Sequence, residues 1–238
     1  MIELSVVVPI YNERDNLLPL ITEITAVLRG TTGFEILYVD DHSEDDSLQV
    51  LLEIRAAVPE LRIVRHLQRC GQSTAIWNGI HTARGSWIIT LDGDGQNDPA
   101  DIPKLLDARQ KAPANVRMIA GWRTQRRDTW SKKLSSRIAN AVRSRMLKDA
   151  TPDTGCGLKL FEREVFLRLP YFDHMHRFLP ALIHRTGYAT QSVPVNHRPR
   201  TRGHSKYGIW DRLWVGLADL RGVAWLMRRA QITATEEL

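Results

Sequence analysis

The side chains best suited to chemistry are Asp92, Asp94 and Gln96, in the run Asp-Gly-Asp-Gly-Gln-Asn-Asp that follows the apolar stretch Trp87–Leu91. Two carboxylates two residues apart at the end of a short apolar run repel one another unless positive charge lies between them. Hard divalent cations, Mg²⁺ or Mn²⁺, accept such oxygen ligands and share them with phosphates. An acidic, glycine-rich turn with no metal is the plain alternative. Elsewhere the charge is basic and clustered. Between Arg117 and Lys148 ten lysines and arginines face a single acid, Asp128. Further groups follow at Arg198, Arg200, Arg202, Lys206 and Arg212, and at Arg221, Arg228 and Arg229. Clustered cations imply an anionic partner, whether phosphorylated substrate, membrane surface or nucleic acid.

The elements that must position these groups are legible from hydrophobic period. Short apolar runs at Leu4–Ile10, Phe34–Val39, Arg62–Arg65, Trp87–Leu91 and Arg117–Ala120 predict strands. Helical spacing predicts helices over Asn16–Arg29, Ser47–Ala57 (with Ser43 or Asp45 as N-cap), Ser73–Arg84 and Pro103–Lys111. Strands alternating with helices predict an α/β fold with a mainly parallel, Rossmann-like sheet. Ligands of such sheets bind beyond the carboxyl ends of the strands. Three of those ends carry polar clusters: Tyr11-Asn12-Glu13, Asp40-Asp41 and Asp92-Gly93-Asp94. Their coincidence favours one site over three unrelated turns.

After residue 120 the pattern changes. A basic helix is predicted over Ser131–Lys148, then a glycine-rich turn entering a strand over Thr154–Phe161, a short helix over Pro180–Arg185 and a strand over Thr190–Val195. Residues 211–232 form an amphipathic stretch rich in Trp and Arg, suited either to a membrane interface or to internal packing. Residues 233–238 read as a tail. The expected organisation is a single domain, 1–210, in two halves that meet at residue 120.

Other classes lose support. Cys70 and Cys156 are too few for a disulfide framework and lie in no metal-ligand spacing. There is no Gly-x-Gly-x-x-Gly after the first strand and no P-loop. Met1–Ser5 has no basic segment before an apolar stretch, so no signal peptide is expected. No run of eighteen uncharged apolar residues predicts a membrane span.

The motifs Val6-Val7-Val8-Pro9-Ile10-Tyr11-Asn12-Glu13, Asp40-Asp41-His42-Ser43-Glu44-Asp45 and Asp92 to Pro99 together resemble the family 2 inverting glycosyltransferases with the GT-A fold. Gly121-Trp122-Arg123, Asp153 to Lys159, and Arg200 to Tyr207 extend the resemblance to about residue 210. They point to the dolichyl-phosphate mannose synthase-like and polyprenyl-phosphate glycosyltransferases. The resemblance implies roles. Pro9, Tyr11 and Glu13 would line the pocket of a GDP- or UDP-sugar, with Val39 and Asp41 reaching the base and Gly93 beside the donor. Asp92, Asp94 and Gln96 would hold Mg²⁺ or Mn²⁺. Arg123, Arg200 and Lys206 would meet donor or acceptor phosphates, and Lys132 and Ser136 the acceptor phosphate. Asp94, Arg200 and Lys206 would carry catalysis.

The implied chemistry is transfer of one sugar, with inversion, to a polyprenyl phosphate. A phosphate acceptor is already ionised at neutral pH and needs no strong general base; a hydroxyl acceptor does. Asp153 is the one candidate base, and a family 2 transferase to a sugar or glycolipid hydroxyl is the second reading. A nucleic-acid-binding module is the third; it leaves three acidic strand ends unexplained, so nucleic acid is not an expected partner. The expected location is peripheral, on the cytoplasmic face of an anionic membrane, with a separate membrane protein as a further means of holding it there.

Overall fold

The computed structural model describes residues 2–124, 143–147, 149, 151–199 and 209–229, giving the backbone alone over 209–215. In chain order the elements are β1 (Leu4–Ile10), α1 (Arg14–Leu28), β2 (Phe34–Asp40), α2 (Ser47–Ala57), β3 (Leu61–Arg65), α3 (Gln72–Thr82), β4 (Trp87–Thr90) and α4 (Ile102–Lys111). There follow β5 (Val116–Arg123), β6 (Lys159–Glu162), α5 (Arg163–Leu167), α6 (Leu179–Arg185), β7 (Ala189–Val195) and α7 (Ile209–Arg228). The seven strands form one sheet in the order β3-β2-β1-β4-β6-β5-β7. Only β6 runs against its neighbours, β4 and β5. The expected fold class holds. The strands and helices expected over the first 120 residues are all present, with bounds that differ by at most a few residues. Helix α2 starts one residue beyond the expected caps, at an Asp46 N-cap, although the Asp45 carboxylate still accepts from Ser47 N–H at 2.9 Å.

The two-residue strand period sorts the core onto two faces. Val6, Val8 and Ile10 of β1 join Ile36 and Tyr38 of β2 under α1, α2 and α4. Val7, Leu37 and Val39 point the other way, against α3, α5, α6 and α7. Strands buried on both faces read as unbroken apolar runs, which is why β1 and β2 stand out in the sequence. The sheet order reverses direction at β1: β2 and β3 lie on one side of it, β4 on the other. The crevice between the ends of β1 and β4 is therefore the expected ligand position.

The opposite rim is fastened by a buried carboxylate. Glu35, at the start of β2, accepts from Ser5 Oγ, Arg62 Nη1 and Arg84 N–H, each at 2.6 Å. Ser5 Oγ in turn accepts from Gly85 N–H at 2.9 Å, tying β1, β2, β3 and the α3–β4 turn together. Burial pushes the Glu35 carboxyl up, but the Ser5, Arg62 and Arg84 donors outweigh it and hold it below the usual carboxylate range. Replacing it should leave Arg62 and two donors unsatisfied. Glu35→Ala should lower stability by about 2–4 kcal/mol in urea unfolding at pH 7. Because the folded value is lowered, the wild-type contribution is full above the unfolded value, about 4.3, and is lost as pH falls through the folded one. Glu35→Gln should therefore flatten the acid limb of the stability profile; an unchanged limb would refute the assignment.

Candidate active site

A cavity of about 410 Å³ opens at the carboxyl rim of the sheet. Its walls come from the ends of β1 and β4, the first turn of α3, the glycine turn before β6, and a single turn of 3₁₀ helix, Met175–Arg177. The structure brings Pro9, Tyr11, Glu13, Asp41, Asp92, Gly93 and Asp94 to this cavity, as the sequence predicts. Val39 does not line it; it is wholly buried one layer below, against Gly79. Gln96 also lies outside the lining, held by main-chain bonds from its N–H to Asp94 Oδ1 (3.1 Å) and from Arg198 N–H to its carbonyl (3.0 Å). Lys132, Ser136, Arg200 and Lys206 lie outside the described residues.

At one end Asp41 organises the loop between β3 and α3. Its Oδ1 meets Cys70 N–H and His66 Nδ1, and its Oδ2 accepts from Gly71 N–H, all at 2.8 Å. The groups of Asp41, His66 and Cys70 lie close enough together to have the outline of a metal centre. Hydrogen bonds already occupy the carboxylate and the imidazole, however: the far nitrogen of His66 meets Asn78 Nδ2 at 3.0 Å. A satisfied network of this kind is a loop anchor. It also carries Arg69, whose guanidinium lies 4.0 Å above the centre of the Tyr11 ring.

In the middle stands Asp92. Its Oδ1 accepts from Gln72 Nε2 at 2.9 Å, and its N–H donates to Asn97 Oδ1 at 3.0 Å. Its other oxygen occupies the space that a side chain at position 157 would fill: a Cβ on Gly157 would overlap the Asp92 carboxylate and come within 2.7 Å of Asn97 Oδ1. Gly93 is equally constrained, since a Cβ there would sit 2.5 Å from Ile10 Cγ2. Burial first, and then the Asp94 charge, push the Asp92 carboxyl above the usual range, against the fields of Lys159 and Arg123. It forms no ion pair with a lysine or arginine among the described residues. Two carboxylates this close together in a glycine-walled space fit a hard divalent cation.

Arg123 and Asp153 take a different arrangement. Arg123 Nε and Nη2 grip the two oxygens of Asp153 at 2.7 and 2.9 Å, and the pair lies behind Gly155 rather than on the cavity wall. Burial opposes the Arg123 charge, but Asp153 outweighs it and raises the guanidinium above its usual value. A carboxylate held by both forks of an arginine is a poor base, so the Asp153 expectation loses its footing.

The lining also includes Arg69, Gln72, Lys159, His176 and Arg177, to which no motif assigns a role. The first two follow β3, so the strand-end rule could have found them. Lys159 starts the one antiparallel strand, which brings a strand beginning, not an end, to the rim. His176 and Arg177 sit on a three-residue turn with no periodic signal.

The chain beyond β7 is fixed to the same rim. Arg198 bridges Glu23 and Asp98 at 2.6 Å each, and Asn97 pairs with His197 across an isolated bridge. His197 and Arg198 therefore lie beside the Asp92–Asp98 loop.

Residues 5–169 match the model of glycosyl transferase family 2. The chain is 35% identical over 237 residues to a dodecaprenyl-phosphate galacturonate synthase of Rhizobium johnstonii, covering 95% of this chain and 68% of that protein. It is 34% identical over 208 residues to an undecaprenyl-phosphate 4-deoxy-4-formamido-L-arabinose transferase of Edwardsiella ictaluri, covering 86% and 63%. The chain thus spans about two thirds of the length of these relatives. Among solved structures it is similar to a mannosyltransferase of Pyrobaculum calidifontis in complex with GDP-Man and Mn²⁺ (TM-score 0.69, 20% identity, 98% of this chain and 66% of that one). It is also similar to glucosyl-3-phosphoglycerate synthase of Mycobacterium tuberculosis with Mn²⁺, UDP and glucosyl-3-phosphoglycerate (TM-score 0.68, 19% identity, 98% and 81%). The sheet order, the acidic strand ends and these matches agree: the chain belongs to glycosyl transferase family 2 and has the GT-A fold.

Proposed function

We propose that the chain transfers a sugar from a GDP- or UDP-sugar to a polyprenyl phosphate, with inversion, at a membrane surface. The observation that carries this reading is the Asp92–Asp94 pair at the centre of a cavity whose two ends differ in character. The Tyr11, Glu13, Asp41 and Arg69 end offers a ring face, carboxylates and a cation to a nucleoside. Both relatives named above are polyprenyl-phosphate enzymes.

Asp92 and Asp94, with Gln96 beside them, would hold Mg²⁺ or Mn²⁺, and the metal would supply charge stabilisation to the departing diphosphate. Gln72 orients the Asp92 carboxylate. Arg200 and Lys206 would meet the phosphates, and Lys132 and Ser136 the acceptor phosphate. A phosphate oxygen attacks already ionised, so this site needs no carboxylate base, and Asp153 is committed to Arg123.

Helix α7 supports a membrane-surface location. Leu220, Val223 and Ala224 are buried against the domain, while Leu217 and Trp225 stay 39% and 60% exposed, on a helix that also carries Arg221 and Arg228 and is followed by Arg229. An apolar and cationic outer face suits an anionic headgroup layer on the cytoplasmic side. Among the described residues no helix is long and apolar enough to cross a membrane.

Purified chain with Mn²⁺, a panel of nucleotide sugars and a short-chain polyprenyl phosphate should yield polyprenyl-phospho-sugar, detected by mass spectrometry. Asp94→Ala should cut turnover by about 10²–10³-fold; product formed only on hydroxyl acceptors, or undiminished in chelator, would defeat the reading. Gly157→Ala should displace the Asp92 carboxylate and weaken Mn²⁺ binding by about 10- to 100-fold with the fold retained, as titration calorimetry would show. Trp225→Ala should reduce co-sedimentation with anionic vesicles by about 10-fold or more, without affecting neutral ones. Equal partition of both proteins would remove the membrane role of α7.

A further inference from the structure

The cavity end away from the nucleoside contains a pair that no motif marks. Ser73 is buried in the first turn of α3, and its hydroxyl lies 2.6 Å from His176 Nδ1 on the Met175–Arg177 turn. This bond joins segments far apart in sequence and fixes the plane of the imidazole. His176 lines the cavity, and its Nε2 has no hydrogen-bond partner among the described residues. Burial first, and then the charges of Lys159 and Arg177, hold the ring well below its ordinary range, so it is neutral. A neutral imidazole has one donor and one acceptor nitrogen. With Nδ1 engaged by Ser73, Nε2 is the ring nitrogen left to hydrogen-bond into the cavity, as donor or acceptor according to the tautomer.

The neighbouring residue shows what lies opposite. Gln72 bonds Asp92 on one side of the α3 turn while Ser73 aims His176 on the other. One helical turn thus sets both the metal-binding carboxylate and the imidazole. In the donor reading, what the diphosphate carries would occupy the part of the cavity lined by Ala75, Ile76, Lys159 and His176. Ala75 and Ile76 are apolar and say little about a hydroxyl's position; a fixed neutral nitrogen says much. Buried polar groups reject ligands that leave them unpaired far more strongly than apolar walls do.

We propose that His176, aimed by Ser73, reads the transferred sugar, its Nε2 forming a hydrogen bond with a ring hydroxyl. The proposal rests on the donor reading above and adds the residue that discriminates among sugars.

Calorimetric binding of nucleoside diphosphates and of the matching nucleotide sugars, all with Mn²⁺, separates the two. His176→Ala should weaken the accepted nucleotide sugar by about 10-fold or more while leaving affinity for the bare diphosphate within about 2-fold. His176→Gln, which keeps a polar nitrogen at a similar reach, should recover part of the loss and reorder the preferred sugars. Ser73→Ala, which only frees the ring, should give a smaller loss in the same direction. Equal losses for diphosphate and nucleotide sugar would make His176 a structural wall residue, and no loss would remove it from recognition; either overturns the proposal. A native chain that binds no nucleoside diphosphate at all would instead overturn the donor reading, and this one with it.

Discussion

The cavity is organised around an unfavourable charge: the Asp92 carboxylate, half-buried beside Asp94, with no ion pair to a lysine or arginine of the described residues. In water two carboxylates at this spacing would cost little, but in a partly desolvated crevice their repulsion grows as the effective dielectric falls. The protein does not relieve it with an ion pair. It supplies an amide from Gln72, a main-chain bond through Asn97 and the missing side chain of Gly157. The neighbouring cations act only through space, and Arg123 is turned away by Asp153. The arrangement leaves the two carboxylates without a direct ion-pair partner among the described residues, as a divalent-cation site would require.

How much of this is legible in the sequence follows from what each element has to bury. Strands β1 and β2 are buried on both faces, and their unbroken apolar runs could hardly be read otherwise. Helix α1 shows its buried side as Leu17, Leu20, Ile21, Ile24 and Leu28. The acidic strand ends are legible because parallel strands deliver their last residues to one rim. The remaining lining is not. Lys159 arrives by a strand running the other way, and a reversal leaves no mark in a four-residue strand. His176 acquires its meaning only from Ser73, a contact between distant segments that no local pattern encodes. Arg123 is a different case: family likeness points to a phosphate ligand, and only the tertiary structure shows its pairing with Asp153.

The two faces of the sheet divide the labour. The α1, α2 and α4 side is a plain core that sets strand spacing. The α3 side carries function, because α3 places its first turn at the cavity and shares its face with α6 and α7. Through α7 the same packed layer reaches the apolar and cationic outer surface at Leu217 and Trp225. One continuous layer of side chains therefore runs from the cavity-facing turn to the helix proposed to lie on lipid. Close packing of that layer would set the height of the cavity above whatever surface α7 rests on.

The reversed direction of β6 has a consequence for how this chain can vary. The loop from Asp92 to Asp98 touches Gly157 through a carboxylate, pairs with His197 through Asn97 and holds Arg198 through Gln96 and Asp98. These ties come from separate later segments, and each depends on the position of one loop residue. Inserting or deleting a single residue here would shift all of them at once, with no slack to share the change. Length changes in this chain must therefore accumulate away from that loop, and its residue count is as much a part of the site as its two aspartates.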